Sequence, residues 1–141
     1  MHVAALHTAP TYGAPTVSLN EIVAVKGKGV EGDRYFGTTR QMTIVSTGEL
    51  SSAAGELGID AISDGATRRN ITVVADELPR QHGAEIHIGE VTLEIWRDCA
   101  PCELMETTVG PGAKTALKGR SGISTTVTKG GTIRLGDPVS F

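Results

Sequence analysis

Apolar and polar residues alternate or form short apolar runs along most of this chain, and the period changes clearly only once. Val3-Ala4-Ala5-Leu6-His7 predicts a first strand, closed by a polar linker with the turn residues Pro10, Gly13 and Pro15. Asn20 to Lys26 predicts a buried strand enriched in β-branched residues, which runs into the glycine-rich stretch from Gly27 to Gly37. Glycine at that density marks either a long surface hairpin or a ligand loop with Asp33 and Arg34 as its polar tips. Gln41 to Val45 alternates as a strand, and there the period changes. Ser46 and Glu49 have capping-box spacing, Leu50, Ala53, Ala54 and Leu57 share a helical face, and Gly58 supplies a C-terminal stop. This helix is expected to lie on the sheet.

Ala66 to Val74 predicts a strand entered through Arg68 and Arg69, two cations that are either solvated or placed to grip an anion bidentately. Ala84 to Gly89 and Glu90 to Trp96 predict a strand-turn-strand unit with His87 on its surface side. Ala113 to Lys118 can form a helical turn, and Gly119 to Gly122 is a basic loop. Ser124 to Lys129 and Thr132 to Leu135, joined by Gly130-Gly131, predict a tight hairpin before a last short strand, Val139 to Phe141. The expectation is one mainly β domain over residues 1–141, a barrel with a few short helices, because closure removes exposed sheet edges.

Composition narrows the partners. With 141 residues, a net charge of −3 and scattered Lys and Arg, the chain offers no electrostatic case for nucleic acid or an anionic membrane. A local cluster can still hold a small anion. Aromatics are 4% of residues, so the core must rest on Val, Ile, Leu and Ala. Met1 to Pro10 lacks the basic start and apolar stretch of a signal peptide, and no apolar run reaches the roughly 20 residues that cross a bilayer. A cytoplasmic location follows as the expectation, and thiols there stay reduced.

That compartment gives weight to Cys99-Ala100-Pro101-Cys102, which holds both cysteines and follows the alternating Val91, Leu93, Ile95 strand. Four chemistries suit two cysteines at this spacing. A redox disulfide usually sits in a βαβ setting, which the strands here do not provide. A structural zinc site needs about four ligands, and His2, His7, His82 and His87 are dispersed. Cys102 can instead act alone, as a thiolate that carries sulfur or binds a soft metal, with Pro101 fixing the backbone before it. Both cysteines can also be small core hydrophobes.

The order of motifs adds to this. Gly32-Asp33-Arg34, Arg68-Arg69-Asn70-Ile71, Cys99-Ala100-Pro101-Cys102, Gly119 to Ile123 and the closing Gly130 to Val139 segment resemble the MOSC domain, named after the C-terminal domain of molybdenum cofactor sulfurase. The resemblance runs from about Val17 to Phe141. It implies a β-barrel with a reactive cysteine at Cys102, which in larger relatives ligates the molybdenum of a pterin cofactor. It also implies that Arg68, Arg69 and Asn70 lie beside the anionic pterin, with the Asp33-Arg34 loop closing over it. Similar stand-alone bacterial members include a reductase of N-hydroxylated bases, and others carry sulfur from pyridoxal-phosphate desulfurases, so a cysteine desulfurase or a redox partner is implied. Pro101 places the chain nearer the stand-alone bacterial type than the sulfurase-like members, many of which carry arginine there. A non-catalytic pterin-binding or sulfur-delivery module is the alternative, as is dithiol redox work by both cysteines.

Overall fold

The computed structural model describes all 141 residues. Eleven strands and three helices follow in order: β1 (Val3–Thr8), β2 (Val17–Leu19), β3 (Glu21–Val25), β4 (Gly29–Val30), β5 (Met42–Ser46), α1 (Thr47–Leu57), β6 (Ile71–Val73), β7 (Glu85–Ile88), β8 (Val91–Asp98), α2 (Leu104–Thr108), α3 (Ala113–Ala116), β9 (Ile123–Lys129), β10 (Gly131–Arg134) and β11 (Val139–Ser140). They form an eight-stranded sheet ordered β11-β7-β8-β9-β5-β6-β1-β2 and a three-stranded sheet ordered β10-β3-β4.

The architecture is mainly β, as the alternation predicts, but the ladder is not closed. β11 and β2 end the larger sheet without pairing to each other. An isolated His2–Pro138 bridge, with backbone bonds of 3.0 Å from Val3 N to Asp137 O and from Val139 N to Met1 O, ties the first residues to the last turn. No closed barrel is found; the two sheets share the main apolar core without a continuous ladder.

β5 lies between β9 and β6, and all five of its residues are buried. Met42 and Ile44 enter the main core of nineteen apolar residues, whereas Val45 faces a second core of nine built with α1, α2 and α3. Covering both faces overrides the half-buried alternation expected of it. α1 begins as the capping spacing requires: Ser46 Oγ accepts from Glu49 N at 3.2 Å and donates to Glu49 Oε2 at 2.6 Å. Gly58, at φ 69°, ends the helix, and Ile59 N donates to Ala54 O at 3.1 Å.

Two expectations are corrected. The Gly130-Gly131 segment does not join a hairpin, because β10 pairs with β3 while β9 pairs with β5 and β8. The glycine serves a crossing instead: a Cβ at Gly130 would lie 2.7 Å from the Ala24 carbonyl oxygen. The strand expected over 66–74 shortens to Ile71–Val73, because Arg68 takes a left-handed backbone conformation, φ 63°. β2, unforeseen, pairs with β1, and Asn20 alone separates it from β3 in the other sheet.

Candidate functional site

The Cys99–Cys102 loop leaves the end of β8 and is held on two sides. Cys99 N donates to Gly122 O at 2.9 Å, and the Ser121 hydroxyl donates to the Cys99 carbonyl. Arg69 Nε donates to Ser121 O at 2.6 Å, and its Nη2 reaches Ala100 O at 3.4 Å. Gly122 makes this approach possible: at φ 93°, its missing side chain leaves room for the Ile44 carbonyl of β5. The loop is thus stapled to the sheet behind it.

The two cysteines are treated differently. Cys99 is buried and Cys102 is exposed. Burial pushes the Cys99 thiol above its ordinary pKa, more than the nearby Arg69 and Arg40 offset, so it stays protonated at neutral pH. Cys102 presents its sulfur to solvent two residues before α2.

Cations gather beside it. Burial lowers the pKa of Arg68, with Arg34 acting in the same direction, while Cys102, Tyr35 and Asp33 favour its charge. Burial likewise lowers Arg69, and Cys99, Cys102 and Tyr35 favour its charge against Arg40. The Lys114 pKa is raised, chiefly by its hydrogen bond and ion pair with Glu103, with Cys102 contributing. Tyr35 lies against two guanidiniums, with the Arg34 carbon 4.2 Å and the Arg40 carbon 5.2 Å from its ring centroid. Arg40 Nη1 also donates to the Tyr35 hydroxyl at 3.4 Å. Arg40, Arg68 and Arg69 form no ion pair with any carboxylate.

The structure therefore brings Arg34, Arg68, Arg69 and Cys102 into one neighbourhood and divides the rest. Arg68 is 6% exposed, donates to the Ala14 and Thr11 carbonyls, and leaves its buried Nε without an acceptor. Asp33 and Asn70 turn inward. Asp33 Oδ1 accepts from Ala9 N at 2.9 Å and Asn70 Nδ2 at 3.3 Å, and Oδ2 accepts from Tyr35 N at 3.2 Å. Asn70 Oδ1 accepts from Thr43 N at 3.0 Å, and its Nδ2 donates to His7 O at 3.1 Å. These two hold the loops in place. Sequence reasoning missed Tyr35, Arg40 and Lys114; an arginine near an aromatic in a glycine-rich loop was the available signal for the first two.

Two hollows lie near the loop, one beside α2 and one against the loop itself, and Cys102 lines neither. One, of about 420 Å³, is lined by Gly65, Arg68, Leu104, Thr107 and Thr108 among others. The other, of about 470 Å³, lies against Ala100, Pro101, Lys114, Thr115 and Lys118. No group of three or more His, Cys, Asp or Glu side chains is assembled that could hold a metal ion. No helix is long and apolar enough to cross a membrane.

A family model described as the MOSC domain matches residues 31–140, the span that carries Asp33, Arg34, Tyr35, Arg40, Arg68, Arg69, Asn70, both cysteines and Lys114. The chain belongs to the MOSC domain family. Solved structures share the fold at low identity. The YuaD protein from Bacillus subtilis is 20% identical with a TM-score of 0.84, over 97% of this chain and 92% of that one. YiiM from Geobacillus stearothermophilus is 14% identical with a TM-score of 0.76, over 98% of this chain and 73% of that one. YiiM from Escherichia coli is 17% identical with a TM-score of 0.72, over 99% and 69%. No match to a curated protein was found.

Proposed function

We propose that this MOSC protein works through the Cys102 thiolate, which serves as the protein's ligand to the molybdenum of a phosphate-bearing pterin cofactor. The observation that carries this reading is an exposed cysteine, Cys102, on a loop pinned by the buried Arg69, with Arg68 lining the hollow beside Leu104 two residues on, neither guanidinium having a carboxylate partner. The donor set suits such a group. A thiolate is a soft ligand of the kind that heavier transition metals accept, and guanidinium forks match phosphate oxygens. The buried Arg68 Nε, which lacks an acceptor, is one such donor in waiting.

The chain's own residues would act as follows. Cys102 supplies the sulfur, Arg68 and Arg34 orient the anion, and Arg69 keeps the loop in register through Ser121 and Ala100. Asp33 and Asn70 position the loops that present these arginines. Molybdenum, when bound, would supply oxygen-atom or electron transfer, with N-hydroxylated compounds as substrates to test first.

A second reading, sulfur carriage on Cys102, is favoured by the exposure of that thiol beside a buried, protonated Cys99. A cysteine desulfurase or a redox protein is then the expected partner, in the cytoplasm. The test is the molybdenum and pterin content of the protein made in a cofactor-competent host. Both should be present in the native chain and in Cys99→Ser, and absent from Cys102→Ser. Absence from all three would overturn the cofactor reading.

A further inference from the structure

The Cys99–Cys102 loop takes its position from its stem. Cys102 O accepts from Met105 N at 3.0 Å within its own turn, so the direction of the thiol depends on how the loop leaves the sheet. The stem is the end of β8 on one side and residues 119–122 on the other, joined by Cys99 N to Gly122 O and by the Ser121 hydroxyl to the Cys99 carbonyl. The ladder alone does not fix this junction. The register of β8 on β9 shifts between Ile95 and Arg97, and an irregularity of that kind re-aims the end of a strand.

Arg80 crosses the junction from outside. Its Nε donates to Asp98 Oδ1 at 3.1 Å, on the residue before Cys99, and its Nη2 donates to Gly119 O at 3.2 Å, two residues before Ser121. Nη1 donates to Leu78 O at 2.9 Å, and Nη2 also pairs with Glu49 in the first turn of α1. Glu49 is itself buried and accepts from Ser46 Oγ at 2.6 Å, so this anchor is rigid. Four segments of the chain thus meet on one guanidinium. Arg69 holds the same stem from within, through Ser121 O and Ala100 O.

We infer that Arg80 is a positioning residue for Cys102: its fork locks Asp98 and Gly119 to α1 and so sets the direction in which the loop presents the thiol. The inference rests on the reading of Cys102 as the working thiolate and adds the residue that aims it. Arginine is required because its donors leave a planar fork in several fixed directions, whereas the single nitrogen of lysine cannot meet acceptors on four segments at once. Groups that orient a metal ligand without touching the metal are worth about 10- to 100-fold in metal affinity.

The test uses the full chain. Asp98→Ala removes one arm of the clamp at a side chain that is 46% exposed and leaves the Arg80–Glu49 pair in place, so the fold survives. Arg80→Lys keeps the charge and loses the fork. Arg134→Gln, which breaks the exposed pair with Glu21 in the other sheet, is the control. Asp98→Ala and Arg80→Lys should each speed hydrogen exchange of the Cys99 amide by about 10-fold in protein without cofactor and should let iodoacetamide reach Cys99. Molybdenum retained per chain after dialysis should fall by about 10-fold or more. Arg134→Gln should match Asp98→Ala in urea unfolding and leave exchange, labelling and molybdenum as in the native chain. Native exchange and labelling in Asp98→Ala would overturn the inference even where Arg80→Lys fails to fold, and so would equal losses in Arg134→Gln. A native chain that retains no molybdenum would defeat the cofactor reading alone, with exchange and labelling at Cys99 still deciding the role of Arg80.

Discussion

Two polar regions of this molecule, less than a loop apart in sequence, behave in opposite ways. In the interior, Asn70, Thr43, Asp33 and the His7 and Ala9 backbones form a knot in which nearly every donor meets an acceptor. Outside it lie an exposed thiol, Cys102, and four cations, Arg34, Arg40, Arg68 and Lys114, of which Arg40 and Arg68 lack any carboxylate. Each motif contributes to both regions. Asp33 is buried and Arg34 half-buried, Cys99 is buried and Cys102 exposed, and Asn70 lies in the knot while the equally buried Arg68 bonds the Ala14 and Thr11 carbonyls. The lesson is that a chemical motif here is a pair: one residue fixes the backbone so that its neighbour can be presented.

The comparison predicts that interior changes cost stability and rim changes cost function. The largest effect is expected at Asn70. Asn70→Ala strands the Thr43 N–H, the His7 carbonyl and one contact to Asp33, and each unmade bond costs about 1 to 3 kcal/mol, for about 3 to 5 kcal/mol in all. Urea unfolding measures it, and a loss below 1 kcal/mol, or about a fivefold change in the folding constant, would break the comparison. Gly122→Ala comes next. Its Cβ would strike the Ile44 carbonyl in a left-handed backbone, so about 2 to 5 kcal/mol should be lost and the Cys loop released from Cys99 N–Gly122 O.

Smaller effects sharpen the division between the cysteines. Cys99→Ser places a hydroxyl in a 2% exposed position and should cost about 1 to 3 kcal/mol, whereas Cys102→Ser should leave the thermal midpoint unchanged and remove ligand binding. Equal tolerance of both changes, by stability and by binding, would sink the assignment.

The smallest effect is a pH dependence. Burial holds the His7 pKa below its ordinary value of 6.5, with Asp64 opposing, and its Nδ1 has no partner. The unfolded chain therefore takes up a proton at a higher pH than the native one. This contribution to stability is whole above 6.5 and declines as pH falls through 6.5 and below. His7→Gln should flatten the fall in Tm between about pH 7 and pH 5; an unchanged slope would show that His7 is not its source.

Much of this was legible in the sequence, for physical reasons. Alternation depends on local geometry, so β5, β7, β8 and the α1 cap were readable from Met42, Ile86, Leu93, Ser46 and Glu49. Cys102 and the Arg68–Asn70 segment stood out through their order along the chain. Pairing was less legible, because it is decided by contacts far apart in sequence. Gly130-Gly131 carries the same letters whether it turns a hairpin or lets one strand cross another, and only the Ala24 carbonyl beside it distinguishes the two. The inward turn of Asp33 and Asn70 was hidden for the same reason: their partners, Ala9, Thr43 and His7, lie 24 to 63 residues away.

The most direct test of the central claim compares two reagents on one thiol. Cys102 in the native chain should react with anionic iodoacetate, relative to neutral iodoacetamide, several-fold faster than free cysteine does, with mass mapping showing no label at Cys99. That ratio should fall towards the free-cysteine value in Arg34→Gln combined with Arg40→Gln. A native ratio equal to that of free cysteine, or labelling that begins at Cys99, would contradict the account.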